Sequence, residues 1–393
     1  MKRVLCLFLF ICIFCTSAFS RKFFDDRYFE VKIDVPFSIS NNSLSADKLF
    51  RDEIVIDFRE LAENLSDKGY NQTFTFSPSS SISLNLEKVF IGLIFGTEGY
   101  LTTNISKDLI DFLAYGNQIN EELNFGMKMD SEMFSYSSFK LGIKMNTIRL
   151  TFIPSVFIPV YSLSGDVGKV SVLNDNTGKL EVGALASIDL YSYLNFEDFS
   201  FSVAKSYLKS IGFDFAGIVE KQIDERLGVE VDFRVPIVPG RLNQRNHYDY
   251  LFTYETSVLN FSDGDSYSET NRSISSCHIN INRPMYFMGY MNFVPSYMVL
   301  LRGGIGLGIR HPFVEGAYGY LQYYLGGSLH FGKILVLSLS SEYTNQIFIN
   351  QFAFSLNLRV VQMDAGISLQ SASFAKSFTM SGFGAYISYS FGY

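Results

Sequence analysis

Hydrophobic and polar residues alternate along most of the chain after its first 28 residues. The clearest case is the C-terminus, where Ala, Ile, Tyr, Phe and Tyr occupy every second position from Ala385 to Tyr393. A period of two predicts a β-strand with one apolar face and one mostly polar face. The same period recurs upstream, for example over 227–237, over 352–360 and over 361–370. The pattern therefore predicts an all-β chain.

Windows with this alternation run through the whole chain, and some of them are expected to merge or to lie outside a barrel wall. The windows are 29–35, 72–86, 89–99, 125–135, 139–152, 156–172, 179–191, 211–220, 227–237, 247–258, 280–294, 297–310, 316–330, 334–343, 347–360, 361–371 and 381–393. Single-chain bacterial barrels have even strand numbers, so we predict about 14 strands, with 12 or 16 as alternatives.

Several windows are longer than the five or six residues usual in soluble sheets, and match the roughly 9 to 11 residues with which a tilted strand crosses a bilayer. The mean hydropathy is +0.14 and only 18% of residues are charged, yet no long apolar helix follows the N-terminus. A transmembrane antiparallel β-barrel explains both facts, because its apolar residues are spread over alternate positions. A secreted β-sandwich or solenoid is the soluble alternative.

The N-terminus has the features of a secretory signal peptide. Lys2 and Arg3 precede an apolar run from Val4 to Phe14, and Ala18 and Ser20 place small residues before a cut at Arg21. We therefore predict a signal peptide over 1–20 and one barrel domain over 21–393. An uncleaved anchor and a lipoprotein processed at a cysteine are the alternatives, and the run is shorter than the roughly 20 residues of a membrane helix.

Charge and cysteine content of the processed chain exclude several classes. Without residues 1–20 the chain has 30 Lys and Arg against 39 Asp and Glu, a net charge of −9. An acidic chain of this kind does not suit a nucleic-acid partner. Cys277 is the one cysteine left, so an internal disulfide is excluded, and we interpret it as a buried or loop thiol.

The connectors combine short turns with long segments. Tight turns are predicted at 174–178 and at Gly332-Lys333, and long connectors at 37–70, 100–124, 192–210 and 259–279. Helical spacing predicts one helix capped by Ser45 and running to about Asn64, and a second after Ser106 that stops at Gly116. Such helices could plug the lumen, lie against the membrane or fold over the barrel mouth, and we favour the last.

Apparent catalytic motifs do not fit their context. The glycines of 303–308 resemble a dinucleotide-binding loop, but they continue a strand rather than join a strand to a helix; small residues facing a crowded lumen are the better interpretation. His247, His278, His311 and His330 share no metal-binding spacing. Ser328 and His330 share one strand face, which is weak evidence for a hydrolase. We predict no enzyme activity and no cofactor.

Two sets of residues are candidate functional positions. Alternation places charged side chains on the inner face, where they could tune what passes through a pore or simply pair across strands. These candidate lumen charges are Glu30, Lys32, Asp34, Glu230, Asp232, Arg234, Arg302, Arg310 and Arg359. The second set is typical of a C-terminal signal for the barrel-assembly machinery. It comprises Ala385, Ile387, Tyr389, Phe391 and Tyr393.

Several local phrases resemble a family of spirochaetal outer-membrane β-barrels of unknown function that is related to the long-chain fatty-acid transporter fold. They are Ser38-Ile39-Ser40-Asn41-Asn42 with the helix at 46–64, the run from Pro236 to Leu242, Leu369-Gln370-Ser371, and Lys376-Ser377-Phe378. The resemblance covers nearly all of the processed chain and implies a barrel of about 14 strands without known enzymatic residues. The fatty-acid transporters have an N-terminal hatch with an Asn-Pro-Ala type motif, and residues 21–80 contain none.

These observations predict an integral outer-membrane barrel that acts as a passive channel or transporter for small molecules, including hydrophobic ones. Its expected partners are outer-membrane lipid, the assembly machinery and a small hydrophobic ligand, with no nucleic acid. The first alternative is a structural or host-facing surface protein that binds partners through its loops. The second is a periplasmic β-protein, with or without a lipid anchor.

Overall fold

The alternating windows form one antiparallel sheet in the computed structural model of the chain. The structure describes residues 27–42, 57–65, 67, 69–116, 123–174, 179–193, 209–257, 260–314, 316–344, 347–371, 373–378 and 382–392. The predicted signal peptide and the first part of the predicted helix after Ser45 lie outside these residues.

Eighteen strands are present among the described residues. They are β1 Phe29–Asn41, β2 Tyr70–Phe76, β3 Ser79–Leu86, β4 Val89–Ile105, β5 Leu123–Met145, β6 Ile148–Asn174, β7 Lys179–Ser192, β8 Gly212–Gln222, β9 Leu227–Val238, β10 Gly240–Ser257, β11 Asn260–Ile281, β12 Met285–Ser296, β13 Val299–Arg310, β14 Tyr318–Phe331, β15 Leu335–Thr344, β16 Ile347–Asn357, β17 Val361–Ser371 and β18 Gly382–Gly392.

Fifteen of these strands form a closed barrel wall, in which β2 and β3 together count as one strand. The wall therefore has 14 strands, which confirms the predicted fold class and strand number. β2 and β3 act as one wall strand interrupted at Ser77 and Pro78, because both pair with β1 on one side and with β4 on the other. The wall closes where β1 pairs with β18, with Val35 opposite Ile387. Closure leaves the wall without a free edge, so its backbone hydrogen-bonding groups are paired as a membrane requires.

The remaining strands, β7, β10 and β11, form an extension that leaves the wall at β6. The first part of β6 pairs with the wall strand β8, and the part from Tyr161 onward pairs with β7 instead. β7 then pairs with β10, and β10 with β11. Phe157 packs against Gly212 and Gly240 at this fork, where a Cβ on Gly212 would overlap the Phe157 ring. Glycine therefore allows the two strand layers to separate.

The two ends of the barrel differ. The end that holds Phe29 and Gly392, here called the termini end, has the tight turns 87–88, 146–147, 223–226, 297–298, 332–334 and 358–360. The opposite end, the loop end, has the long connectors and the extension. Gly332 has a φ of +63°, as the predicted turn at Gly332-Lys333 requires. The predicted turn at 174–178 lies mostly outside the described residues.

Apolar side chains cover the outside of the wall, and polar side chains face inward. Ile305 is 76% exposed and Leu321 69% exposed on neighbouring strands. Their sequence neighbours Gly304 and Tyr320 lie on the opposite, inner face, as the period of two dictates. An exposed apolar surface that surrounds a polar lumen is the arrangement of a membrane barrel.

Two short helices lie at the loop end, namely α1 Phe58–Asn64 and α2 Lys107–Tyr115. Asp57 caps α1 by accepting hydrogen bonds from the N–H groups of Arg59 and Glu60. The predicted helix after Ser106 is present and stops at Gly116, whose φ is +82°. Leu61 and Ile110 form a small core with the strand residues Tyr70 and Ile105.

Phe112 of α2 packs against Phe125. Phe74 of β2 and Phe139 of β5 are exposed on the outside of the wall. Tyr70 and Phe125, which contact the helices, are an even number of residues away on the same strands and therefore face the same way. The helix pair therefore packs on the outside of the strand ends, and the favoured position over the mouth was wrong. No helix among the described residues is long and apolar enough to cross a membrane.

Two parts of the strand prediction were wrong. The predicted connector 259–279 is the long strand β11, which has serine and other polar residues on both faces and so lacks the alternation of apolar and polar residues that predicts a strand. The predicted window 139–152 spans the turn at 146–147 between β5 and β6, because alternating residues run up to both sides of Asn146-Thr147, which contains neither Gly nor Pro.

Candidate functional site

Tyrosine rings line the inner face of the wall and lie on glycines. A Cβ on Gly304 would overlap the ring of Tyr290, and one on Gly308 would overlap the ring of Tyr320. Tyr290 packs edge-on against Tyr324, with ring centroids 6.0 Å apart. The glycines of 303–308 therefore have a packing role, since those of inward parity make room for flat aromatic rings.

Arginine side chains stack on these rings. The Arg302 guanidinium lies 3.9 Å from the centroid of the Tyr290 ring, and its two terminal nitrogens donate to the two carboxylate oxygens of Glu230 at 2.9 and 3.0 Å. A bidentate pair with one face on an aromatic ring fixes the planar cation in place. The lumen surface is consequently amphipathic, with ring faces beside fixed charges.

A cluster of four charged residues, here called the crossbar, joins wall strands that are not neighbours. Glu98 of β4 accepts hydrogen bonds from both terminal nitrogens of Arg234 of β9, at 3.0 and 3.1 Å. Arg283 donates to Glu98 at 2.8 Å and to Asp214 of β8 at 2.8 Å. β4 and β9 are four strands apart, or about 19 Å along the wall at the usual strand spacing. These side chains therefore meet across the lumen.

The crossbar is buried but incompletely satisfied. Asp214 is fully buried and Arg283 is 4% exposed. Asp214 Oδ1 and Arg283 Nε have no hydrogen-bond partner among the described residues. An unpaired buried polar atom costs about 1–3 kcal/mol. The crossbar thus stabilises the closed lumen by less than its ion pairs alone would indicate.

A second bridge, here called the latch, lies at the loop end. His311 in the connector between β13 and β14 places Nδ1 3.0 Å from Glu132 Oε1 of β5, and Nε2 3.4 Å from the Tyr100 hydroxyl of β4. Arg310 stacks on the Tyr100 ring at 3.5 Å. β4 and β13 are six strands apart in a wall of 14, nearly opposite each other. The latch thus carries the connector across the mouth.

The hydrogen bond to Glu132 raises the pKa of His311 above its ordinary value, although partial burial acts in the opposite direction. His311 also has a φ of +48°, which is uncommon for a residue with a Cβ. Asn282 Nδ2 donates to the carbonyl oxygen of Pro312 at 2.8 Å and fixes the connector from a third side. The latch is therefore held by several contacts.

The inner side of the extension carries a separate charge network. Arg245 makes two hydrogen bonds to Asp189, at 2.7 and 2.8 Å, and His247 lies 2.7 Å from Asp189 and 2.9 Å from Asp249. The hydrogen bond to Asp189 raises the pKa of His247 most strongly. These residues lie on the same face of the extension as Tyr191, and Tyr191 pairs with Ser162 of β6. They therefore continue the inner surface of the wall beyond its loop end.

Eight of the candidate lumen charges lie on wall strands: Glu30, Lys32 and Asp34 on β1, Glu230, Asp232 and Arg234 on β9, and Arg302 and Arg310 on β13. Lys32 and Asp34 pair on β1 at 3.0 Å, and Glu30 lies 4.0 Å from Arg27. The Tyr286 hydroxyl lies 3.4 Å from Asp232.

Arg359 does not lie in a strand, and its placement on the inner face was wrong. β16 ends at Asn357, and Arg359 lies in the turn that follows, with a φ of +75°. The Asn357 side chain accepts a hydrogen bond from the Arg359 N–H and stabilises this turn. Of the C-terminal positions, Ile387, Tyr389 and Phe391 are exposed on β18, and Tyr393 lies outside the described residues.

Sequence reasoning missed Glu98, Asp214, Tyr100, Glu132 and Arg283. The first four lie in wall strands at positions where the period of two places the side chain on the inner face, so alternation alone could have added them to the candidates. Arg283 lies in the linker between β11 and β12 and carries no periodic signal. Ser328 Oγ and His330 Nε2 are 2.8 Å apart, which follows from their positions two residues apart on one strand face. In the part of the chain that the structure describes, no group of three or more His, Cys, Asp or Glu side chains is placed to hold a metal ion.

Comparisons with known proteins concern overall fold. No protein-family model and no curated protein sequence matches the chain. The chain is similar to the toluene transporter TodX of Pseudomonas putida, with a TM-score of 0.49, 9% identity, and 94% of this chain and 91% of that chain covered. For the toluene transporter TbuX of Ralstonia pickettii the values are 0.47, 7%, 94% and 90%. For a Pseudomonas aeruginosa FadL homologue they are 0.40, 9%, 94% and 90%.

Proposed function

We propose that the protein is an integral outer-membrane β-barrel that acts as a passive channel or transporter for small molecules, including hydrophobic molecules with an aromatic or aliphatic part. The lumen surface is the observation that carries this proposal. The rings of Tyr290, Tyr320 and Tyr324 are interleaved with the fixed charges of Arg302 and Glu230. Such a surface offers apolar contact and hydrogen bonds to the same molecule.

Passage requires the crossbar and the latch to separate. Both bridges join strands that are far apart in the wall, so either one narrows the path through the lumen. Neither bridge is part of the strand pairing, and the wall stays closed when they break. The proposed mechanism is therefore diffusion along the tyrosine-lined wall, controlled by the opening of these two bridges.

The proposal includes the route to the membrane. A signal peptide over residues 1–20 would direct export, and the alternating C-terminus from Ala385 to Tyr393 would be recognised by the barrel-assembly machinery. The exposed outer side chains of the wall, such as Ile305 and Leu325, would contact outer-membrane lipid. The termini end would then face the periplasm and the loop end the outside.

Leakage from liposomes tests the transport proposal. The purified barrel, shown to be folded by heat-modifiable migration, is reconstituted into liposomes that contain a small aromatic alcohol, a neutral sugar or a salt. We expect faster release of at least one solute than from empty liposomes. Permeability equal to that of empty liposomes for every solute would contradict the proposal.

A surface-binding role is the second candidate, and the extension favours it. β11 pairs with β10 and has no partner for its other edge among the described residues. Tyr267, Glu269 and Asn271 are exposed along it, and an exposed strand edge can take up a strand of another protein. Protease treatment of intact cells should then cut within 258–275, and removal of this segment should abolish partner binding while the barrel still folds.

A further inference from the structure

Glu342 of β15 is an inward carboxylate that the chain leaves without a counter-charge. It lies directly opposite Tyr324 of β14, and Tyr324 packs inside the barrel against Tyr290, so Glu342 faces the lumen as well. Its side chain is partly exposed, and within the described residues it makes no hydrogen bond and no ion pair. An ionised side chain of this kind inside a membrane protein is costly, and it typically marks the path of a solute or ion. We infer that Glu342 binds the protonated amino group of a small organic cation.

The row of inner side chains that contains Glu342 shows how this surface holds a cation. In wall order, the row is Glu230, Tyr290, Gly304, Tyr324 and Glu342. A carboxylate thus lies at each end, with two tyrosines between the ends. At the first end, the Arg302 guanidinium lies 3.9 Å from the centroid of the Tyr290 ring and donates to both Glu230 oxygens. The second end offers the same two groups, a ring and a carboxylate.

Arg302 does not fill this second position. Its guanidinium is 5.9 Å from the centroid of the Tyr324 ring, near the limit of about 6 Å for a cation–π contact. Both terminal nitrogens of Arg302 donate to Glu230, and bidentate charge-assisted bonds of this kind are the strong ones. A move of Arg302 to Glu342 would break this pair and leave Glu230 as the unpaired carboxylate. One acidic end of the row is therefore available to a cation from outside the chain.

A buried amide oxygen near Glu342 also lacks a donor. Gln322 lies two residues from Tyr324 on the same inner face of β14, and its Nε2 donates to Thr344 Oγ1 at 2.8 Å. Its Oε1 atom is buried and has no hydrogen-bond partner in the part of the chain that the structure describes. Thr344 is two residues from Glu342, so Gln322 is the diagonal neighbour of Glu342 across the strand pair, within reach of long side chains. Two acceptor groups without donors suit an ammonium group, which carries three N–H donors.

The ring favours an organic cation over a metal ion. Ca²⁺ takes about six to eight oxygen ligands, and no group of three or more His, Cys, Asp or Glu side chains in the described ranges is placed to hold a metal ion. An amine on an aromatic or aliphatic body can donate to the carboxylate and the amide while its body packs on the tyrosine rings. The ligand class is therefore a small amphiphilic amine that is positively charged at neutral pH.

This inference deepens the proposed function, and one part of it rests on that function: Glu342 lies two residues from the loop end of β15, so it would be an entry position for a cationic cargo. Amine binding itself does not require transport. Calorimetry on the folded, full-length processed barrel in a neutral detergent at low salt and neutral pH tests binding directly. The probes are benzylamine, which is protonated under these conditions, the uncharged benzyl alcohol and the anionic benzoate.

We expect benzylamine to bind more tightly than either other probe. Glu342→Gln removes the charge and should weaken benzylamine binding by about tenfold or more, as expected for the loss of a hydrogen bond to a charged group. Glu342→Asp keeps the charge and should retain part of the affinity. Asp364→Asn is the matched control, because Asp364 is also an inward carboxylate but accepts hydrogen bonds from Gln362 at 2.9 and 3.1 Å. This control should bind benzylamine as the native barrel does.

Four results would overturn the inference: no binding of benzylamine, equal affinity in Glu342→Gln, equal binding of benzyl alcohol or benzoate, or an equal loss in Asp364→Asn. Heat-modifiable migration of each variant excludes misfolding as the cause. Transport is scored separately by liposome leakage. Amine binding that needs Glu342 in a barrel that releases no solute would support the site and contradict the channel, and leakage without amine binding would do the reverse.

Discussion

Replacing Glu98 with glutamine should open the lumen. Glu98 accepts hydrogen bonds from both Arg234 and Arg283, and 24% of its side-chain surface is exposed. Removal of one partner from a buried ion pair costs about 3–5 kcal/mol, and we expect about 2–3 kcal/mol here because of this exposure. That energy is lost from the closed lumen alone, since the strand pairing of the wall is unchanged. Because each 1.4 kcal/mol is a factor of ten, the open fraction should rise by about 30- to 150-fold.

Single-channel recording in planar bilayers measures this change as open probability. Glu230→Gln is the matched control, because Glu230 also pairs with an arginine through both oxygens, but its partner Arg302 lies only two wall strands away. We expect long open events in Glu98→Gln and native behaviour in Glu230→Gln. Equal open probability in Glu98→Gln, Glu230→Gln and the native barrel would refute the crossbar as a closing element.

Three further predictions concern packing, the latch and the membrane. Gly308→Val should destabilise the barrel by about 1–3 kcal/mol in urea unfolding, because the valine side chain would enter the space of the Tyr320 ring. Gly303→Val meets only ordinary van der Waals contact and should leave the stability nearly unchanged. Equal stability of the two variants would contradict the ring packing. Because the pKa of His311 is raised, protonated His311 stabilises the latch fully below the ordinary histidine pKa of about 6.5, and this stabilisation is lost as the pH rises through the raised pKa. The open probability should therefore increase from pH 6 to pH 9, and His311→Gln should remove this pH dependence. A decrease in open probability over the same pH range would refute the latch. In lipid vesicles, Ile305→Lys should lower the free energy of unfolding by about 2–4 kcal/mol, because it places a charge among the acyl chains. Ile274→Lys on the extension should leave it unchanged. Equal stability of the two variants in unfolding from vesicles would argue against lipid contact.

The sequence predicts the wall well because alternation on a wall strand is a direct consequence of its two environments. Ile305 and Leu307 face outward and Gly304 and Gly308 inward, as the period of two requires. The same logic fails for β11, where Ser266, Tyr267, Ser268 and Glu269 are all exposed, so that neither face of the strand differs from the other. A strand with the same environment on both faces lacks the alternation by which strands are recognised in a sequence.

The bridges across the lumen could not be predicted in the same way. Glu98 and Arg234 are 136 positions apart, and their contact depends on which parts of a closed wall face each other. Alternation gives the face of a residue but neither its height in the barrel nor the residue opposite. The turn position of Arg359 shows a related limit, since the apolar residues Leu358 and Val360 on either side of it continue the alternation of β16 into the turn.

In a membrane-spanning barrel with this wall, the odd positions of β14 face lipid and the even positions face the lumen. The chain contains no tryptophan, so single substitutions give an unambiguous fluorophore. Leu325 is 62% exposed on the outer face, and Tyr324 packs inside against Tyr290. In vesicles with brominated acyl chains, we expect strong quenching of Leu325→Trp and little quenching of Tyr324→Trp. Equal quenching of the two, or protection of Leu325→Trp, would contradict a membrane-spanning barrel with this lumen.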